Sequence, residues 1–120
     1  IDPLCMRPAM DSKLLSGTVE MLILDALSRG DNYGYQISQL VLNRSDGYFE
    51  LKEGSLYPAL HRLERQQLLR SFWVDSDAGR RRKYYRLTAK GKKALAARRE
   101  DWSRFAQAVN SVLGIRHELV

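Results

Sequence analysis

Glu53-Gly54-Ser55-Leu56-Tyr57-Pro58-Ala59-Leu60-His61-Arg62-Leu63-Glu64-Arg65 reads as one helix with two unlike faces. Leu56, Leu60 and Leu63 recur at i, i+4 and i+7 and form an apolar stripe that must pack on other helices. Ser55, Pro58, His61, Arg62 and Arg65 occupy the opposite face, with Tyr57 on its flank. Gly54, Ser55 and Pro58 belong near a helix start, where serine caps N–H groups and proline gives up no intrahelical bond. Amide donors and a positive helix end beside Lys52 suit a phosphate or a base edge. Two readings follow: a helix that enters a DNA groove, or an ordinary amphipathic helix with a solvated charged face.

The chain has 120 residues, enough for a single domain with a core of its own. With 44% hydrophobic and 28% charged residues it is globular in composition. No apolar run approaches the roughly 18 residues of a membrane span, so a soluble protein without a membrane partner is expected. A net charge of +6 favours a polyanionic partner. Half of the 20 Lys and Arg fall between Arg80 and Arg99, where there is no acidic residue. Cys5 is the single cysteine, and the two histidines, His61 and His117, are far apart. An intrachain disulfide is excluded, and no metal or other cofactor is expected. Asp75, Asp77 and Gly79 are spaced as in a calcium loop, but the later carboxylates are missing. This cysteine usage and the lack of an apolar leader point to the cytoplasm. Residues 1–13 are read as an N-terminal extension, in keeping with an expression scar or an upstream start.

The first helix is expected from Gly17 to Arg29, with Ser16 as N-cap and Gly30 as stop. Val19, Leu22, Ile23, Ala26 and Leu27 form its core stripe. Leu14, Met21 and Leu24 lie outside that stripe and imply a second covered face, under either a partner subunit or the C-terminal helix of the same chain. Asp31-Asn32 should cap a second helix from Tyr33 to about Leu42. Ser45-Asp46-Gly47 is a turn, and Tyr48 to Leu51 suits a short strand. The central helix should end near Gln66. Leu69–Val74 and Arg82–Leu87 are expected to pair as a β-hairpin around a basic turn. Thr88 is placed to cap a last helix from Ala89 to Leu113. In that helix Leu95, Trp102 and Val109 repeat every seven residues, and Phe105 and Val112 form a second seam beside Ala106 and Leu113. Two seams argue for helix pairing and a dimer. The fold expected is mainly α (α+β): a winged helix-turn-helix over 14–88, a C-terminal dimerisation helix over 89–114 and a tail over 115–120. No catalytic constellation is visible, so an enzyme is not expected. A winged helix used for protein contacts is the serious rival.

Three motifs in order and at matching spacing resemble the PadR family of transcriptional regulators across roughly residues 14 to 113. They are Asn32-Tyr33-Gly34-Tyr35-Gln36-Ile37, then Gly54 to Leu60 with Arg62-Leu63-Glu64, then Arg81-Arg82-Lys83-Tyr84-Tyr85-Arg86-Leu87-Thr88-Ala89-Lys90-Gly91. The single long C-terminal helix with a tryptophan resembles the shorter branch of the family. Gln66-Gln67-Leu68 departs from the pattern, because the family usually has glycine before that leucine. The resemblance implies a homodimeric repressor on an inverted repeat of double-stranded DNA, released by an effector. Ser55, Tyr57, His61 and Arg62 would meet base edges or phosphates, and Arg80, Arg81, Arg82 and Lys83 would meet phosphates or the minor groove from the wing. Tyr33 and Tyr35 would lie beside the backbone, with Lys52 at the start of the reading helix.

In ligand-sensing members of the short branch a pair of tryptophans flanks a central pore and stacks on flat aromatic compounds. By that resemblance Leu14, Gly17, Met21, Ala94, Arg98 and Trp102 would face the pore. The cation of Arg98, and Ala106 where a carboxylate would attract a cationic drug, imply a small aromatic effector that is neutral or anionic. The alternative is that Trp102 anchors the dimer and no effector binds.

Overall fold

The computed structural model describes residues 12–76 and 78–116, with side chains from residue 17 onward. Four helices and three strands follow in the order α1 (Ser12–Ser28), β1 (Asn32–Tyr33), α2 (Gly34–Arg44), α3 (Glu53–Arg65), β2 (Leu69–Asp75), β3 (Arg81–Leu87) and α4 (Ala89–Leu113). This is a mainly helical winged helix-turn-helix with a small antiparallel sheet and a long C-terminal helix.

Apolar stripes of the helices meet in one core. Val19, Ile23, Leu24, Ala26 and Leu27 of α1 pack with Ile37 and Val41 of α2 and with Leu56, Ala59, Leu60 and Leu63 of α3. Leu68, Leu69, Tyr85, Leu87 and Leu95 extend the core to the sheet and the start of α4. Leu24 is fully buried, so the chain itself covers that residue of the second face of α1. From α4, Arg98 reaches Glu20 and Arg99 reaches Asp25, which ties the two helices together.

The sheet has the order β1-β3-β2. Leu69 pairs with Leu87 and Asp75 with Arg81 along the hairpin, and Asn32–Tyr33 adds a third strand opposite Tyr85 and Tyr84. That two-residue strand replaces the helix cap expected of Asp31-Asn32. Asn32 Oδ1 accepts from the Tyr33 amide, Asp31 pairs with Arg86 at 2.7 Å, and α2 starts after Tyr33 with no side-chain cap. Residues 48–51 form no strand, and α1 begins at Ser12 rather than at Gly17.

Helix ends follow the local chemistry. Thr88 caps α4 by accepting from the Gly91 amide at 2.9 Å, and Gly114 closes it in the left-handed conformation. At the end of α3, Gln67 takes the left-handed position (φ 63°). Its amide donates to Glu64 O at 2.9 Å and the Leu68 amide donates to Leu63 O at 3.0 Å, the paired closure that a glycine ordinarily serves. Leu68 O then accepts from the Thr88 amide at 3.1 Å and from the Thr88 hydroxyl at 3.0 Å. Gly91 passes so close that an added Cβ would lie 2.1 Å from the same oxygen. Lys90 adds a bond to Gln66 O at 3.1 Å.

Candidate nucleic-acid interface

Between the start of α2, the outer face of α3 and the wing lies a groove of about 640 Å³. Tyr33, Tyr35, Tyr57, His61, Arg80, Arg81, Arg82 and Lys83 all line it, with Gly34 and Tyr85. Tyr57 closes over the first turn of α2, and a Cβ on Gly34 would sit 2.8 Å from the Tyr57 hydroxyl. Glycine at 34 therefore sets the position of that ring. α3 also starts without a side-chain cap, at Lys52, so the expected serine cap does not form. Ser55 instead lies in the first turn of α3, exposed together with Lys52. Uncapped amides at two helix starts give this surface partial positive charge in addition to its cations.

Strand alternation divides the wing into two faces. On one, Arg82 stacks on Tyr33 at 4.4 Å and Arg86 on Phe72 at 4.8 Å, while Tyr84 packs against both rings. On the other, the Ser71 hydroxyl donates to Glu64 of α3, Lys83 approaches Glu64 at 4.0 Å, and Tyr85 is buried. Burial pushes the Tyr85 phenol up, and the charge of Glu64 adds to the shift. Trp73, absent from the expected site, stands on this second face and is 57% exposed.

Arg62 is a correction. Ala59 is buried along with the three leucines, which widens the inward arc of α3 toward the flank that faces α1. Arg62 lies on that flank and pairs through Nε with Glu20 at 2.9 Å, away from the groove. Glu20, only 8% exposed, also accepts from Arg98 at 3.4 Å, so one carboxylate joins α1, α3 and α4. It was legible in principle, because it precedes Ile23, Leu24 and Leu27 by three, four and seven residues on the buried face of α1.

A second cleft, of about 450 Å³, opens between α1 and α4. Gly17, Met21, Arg98 and Trp102 line it with Glu20, Thr18, Asp101 and Phe105. Ala94 is half-buried against the core and does not line the cleft, and the side chain of Leu14 lies outside those described. Arg98 shares the single Glu20 carboxylate with Arg62, and Asp101 is paired with Arg104 at 3.1 Å. Leu95 is likewise corrected: it is 3% exposed inside the chain's own core and has no surface to offer a partner. Trp102, Phe105, Val109 and Val112 remain exposed along α4, with the rings of Trp102 and Phe105 5.6 Å apart. Among the described residues no helix is long and apolar enough to cross a membrane, and no acidic, His or Cys cluster could hold a metal.

Known proteins share this architecture. A transcriptional regulator from Clostridium thermocellum is 34% identical, with a TM-score of 0.75 over 83% of this chain and 97% of that one. A PadR family transcription regulator from Clostridium difficile is 37% identical, with a TM-score of 0.69 over 79% and 97% of the two chains. An uncharacterised protein of Lysinibacillus sphaericus is 33% identical over 82% of this chain and 91% of its own length. The sequence model of the transcriptional regulator PadR-like family matches residues 23–97. With these three motifs built into one winged helix, the chain belongs to the PadR-like family of transcriptional regulators, which are not enzymes.

Proposed function

We propose that this chain is a cytoplasmic homodimeric repressor that grips an inverted repeat in double-stranded DNA with α3 and the wing. The observation that carries the reading is the single groove that gathers Tyr57 and His61 of α3, Tyr33 and Tyr35 at the start of α2, and the four cations Arg80 to Lys83. A module for protein contacts would present an apolar patch there, and this surface is cationic and aromatic. Exposed Trp102, Phe105, Val109 and Val112 supply the apolar seam for a second copy. Two reading helices related by a two-fold axis then require half-sites about 34 Å apart.

The α1–α4 cleft supports an effector site for a small flat aromatic compound, neutral or anionic, seated against Trp102 and Met21 with Arg98 at its polar edge. The contact of Trp102 with Phe105 favours a second reading, in which Trp102 serves only to anchor the dimer. Quenching of Trp102 emission by neutral or anionic planar aromatics, with release of bound duplex, separates the two.

The test of DNA recognition is binding to random duplex and to the chain's own upstream region at several salt concentrations. A phosphate-gripping dimer shows steep salt dependence and prefers the upstream sequence. Arg81→Ala with Arg82→Ala should weaken binding to all duplexes and flatten the salt slope by roughly one unit per lost contact. Ser55→Ala or Tyr57→Ala should cost more on the specific site than on random duplex. Weak, salt-insensitive binding to both DNAs would assign the groove to a protein partner.

A further inference from the structure

Trp73 plays no part in the core or in the aromatic cluster of Phe72, Tyr84 and Tyr33 that braces the hairpin. It stands 57% exposed on a strand, where a tryptophan gains little from folding. Its direction is set by register. Ser71 and Tyr85 are paired across the hairpin, as are Trp73 and Lys83, so all four share one face. That face is turned to α3, because Ser71 bonds to Glu64 and Lys83 approaches the same carboxylate. Trp73 therefore projects beyond the edge of α3, on the side where Lys83, Arg81 and Tyr85 line the groove. Arg81 lies over the indole with its guanidinium carbon 5.1 Å from the ring centroid, and its tie to Asp75 at 3.5 Å is exposed.

We propose that Trp73 and Arg81 act as one stacked contact to the minor groove, the indole pressing on deoxyribose and the guanidinium entering the groove. Resting on the duplex-binding reading above, this names the wing's apolar contact and what it senses. Outside its stacked bases a duplex offers little apolar surface, chiefly the sugar walls of the minor groove and the thymine methyls of the major groove. An indole that carries a guanidinium on its face suits the sugar wall. The cation already rests on the ring, so less side-chain freedom is lost on binding. Narrow minor grooves of A·T-rich DNA concentrate negative potential and draw arginine in, so the pair would favour A·T-rich sequence under the wing.

The test uses the full chain, labelled duplexes of fixed centre with either A·T-rich or G·C-rich flanks, binding by anisotropy and tryptophan emission recorded in parallel. Saturating duplex should change the emission of Trp102→Phe, which leaves Trp73 as the one tryptophan. Trp73→Ala should lose affinity on the order of tenfold and lose the preference for A·T-rich flanks, while Trp73→Phe keeps most of both. Arg81→Ala and Trp73→Ala together should cost less than the sum of the two single losses, since the two act as a unit. An unchanged emission of Trp102→Phe at saturating duplex overturns the proposal, and so does a folded Trp73→Ala that binds both duplexes like the native chain. If Trp73→Ala does not fold, the emission comparison decides alone. Failure of the native chain to bind any duplex would overturn the DNA reading and this inference together, whereas binding with a silent Trp73 overturns only the inference.

Discussion

Replacing Glu20 by glutamine removes one charge from the junction of three helices and leaves its shape unchanged. The carboxylate accepts from Arg62 at 2.9 Å and from Arg98 at 3.4 Å. An amide has one acceptor oxygen, so one guanidinium keeps a neutral partner and the other faces an NH2 group. A hydrogen bond to a charged group contributes about 1.5–3 kcal/mol. The side chains of Arg62 and Arg98 are 36% and 32% exposed, so water recovers part of the loss. Glu20→Gln should therefore destabilise the fold by about 2 kcal/mol, lowering Tm by roughly 8 °C. The assay is urea unfolding at fixed protein concentration, in low and high salt, with Arg98→Gln and the double variant completing a cycle. The midpoint should fall with the slope unchanged, and much of the loss should survive added salt because the carboxylate is buried. A coupling of about 1 kcal/mol between the two positions is expected. Full additivity, or a single-variant loss under about 0.5 kcal/mol, would show that the junction is held by packing and that its charges are incidental.

Three further outcomes follow from local geometry. Gly34→Ala should push the Tyr57 ring off the start of α2 and weaken duplex binding severalfold with the melting curve nearly unchanged, and native affinity in that variant would remove Tyr57 from the contact surface. Gln67→Gly should raise stability by about 0.5–1 kcal/mol, since relief of the left-handed strain exceeds the added freedom of the unfolded chain, and a lower urea midpoint would contradict this. Burial alone would raise the Asp25 carboxyl, but Arg99 and Arg29 outweigh it and hold it below the ordinary value. Its contribution is complete above the unfolded carboxylate value of about 4 and is lost as pH falls through the lower folded value. Asp25→Asn should flatten stability against pH in that acid range, and parallel curves for both proteins would remove Asp25 from the account.

Regular segments were legible in the sequence wherever side-chain periodicity carried them. The leucines of α3, the alternation of the hairpin and the long run of α4 all fall close to the expected bounds. What could not be read was decided by contacts between distant segments. Asn32-Tyr33 becomes a strand only because β3 offers it unpaired backbone, and two residues have no period to read. Arg62 looks like a groove residue on an isolated helix and is drawn toward α1 by a carboxylate 42 positions away. Leu95 fits a heptad as well as Trp102 does, yet the core of its own chain reaches far enough along α4 to take it. The basic motif at Arg80–Lys83 and the paired tyrosines did converge on one groove, because short motifs at the ends of rigid elements are placed by the fold as a whole.

The carbonyl of Leu68 has a mechanical consequence. Thr88 bonds it twice, Gly91 lies against it, and Lys90 is tied to the neighbouring Gln66 O, so the exit of α3, both ends of the hairpin and the root of α4 form one joint without a hinge. α4 spans 25 residues, about 38 Å, and works as a lever arm fixed at that joint. Were its far end clamped against a second copy, as proposed, a tilt of about 5° would carry the reading unit sideways by about 3 Å. In the proposed dimer, two arms moving in opposite senses would double that mismatch against the fixed pitch of a double helix, so a small change in how the arms cross would be enough to take both hands off the operator.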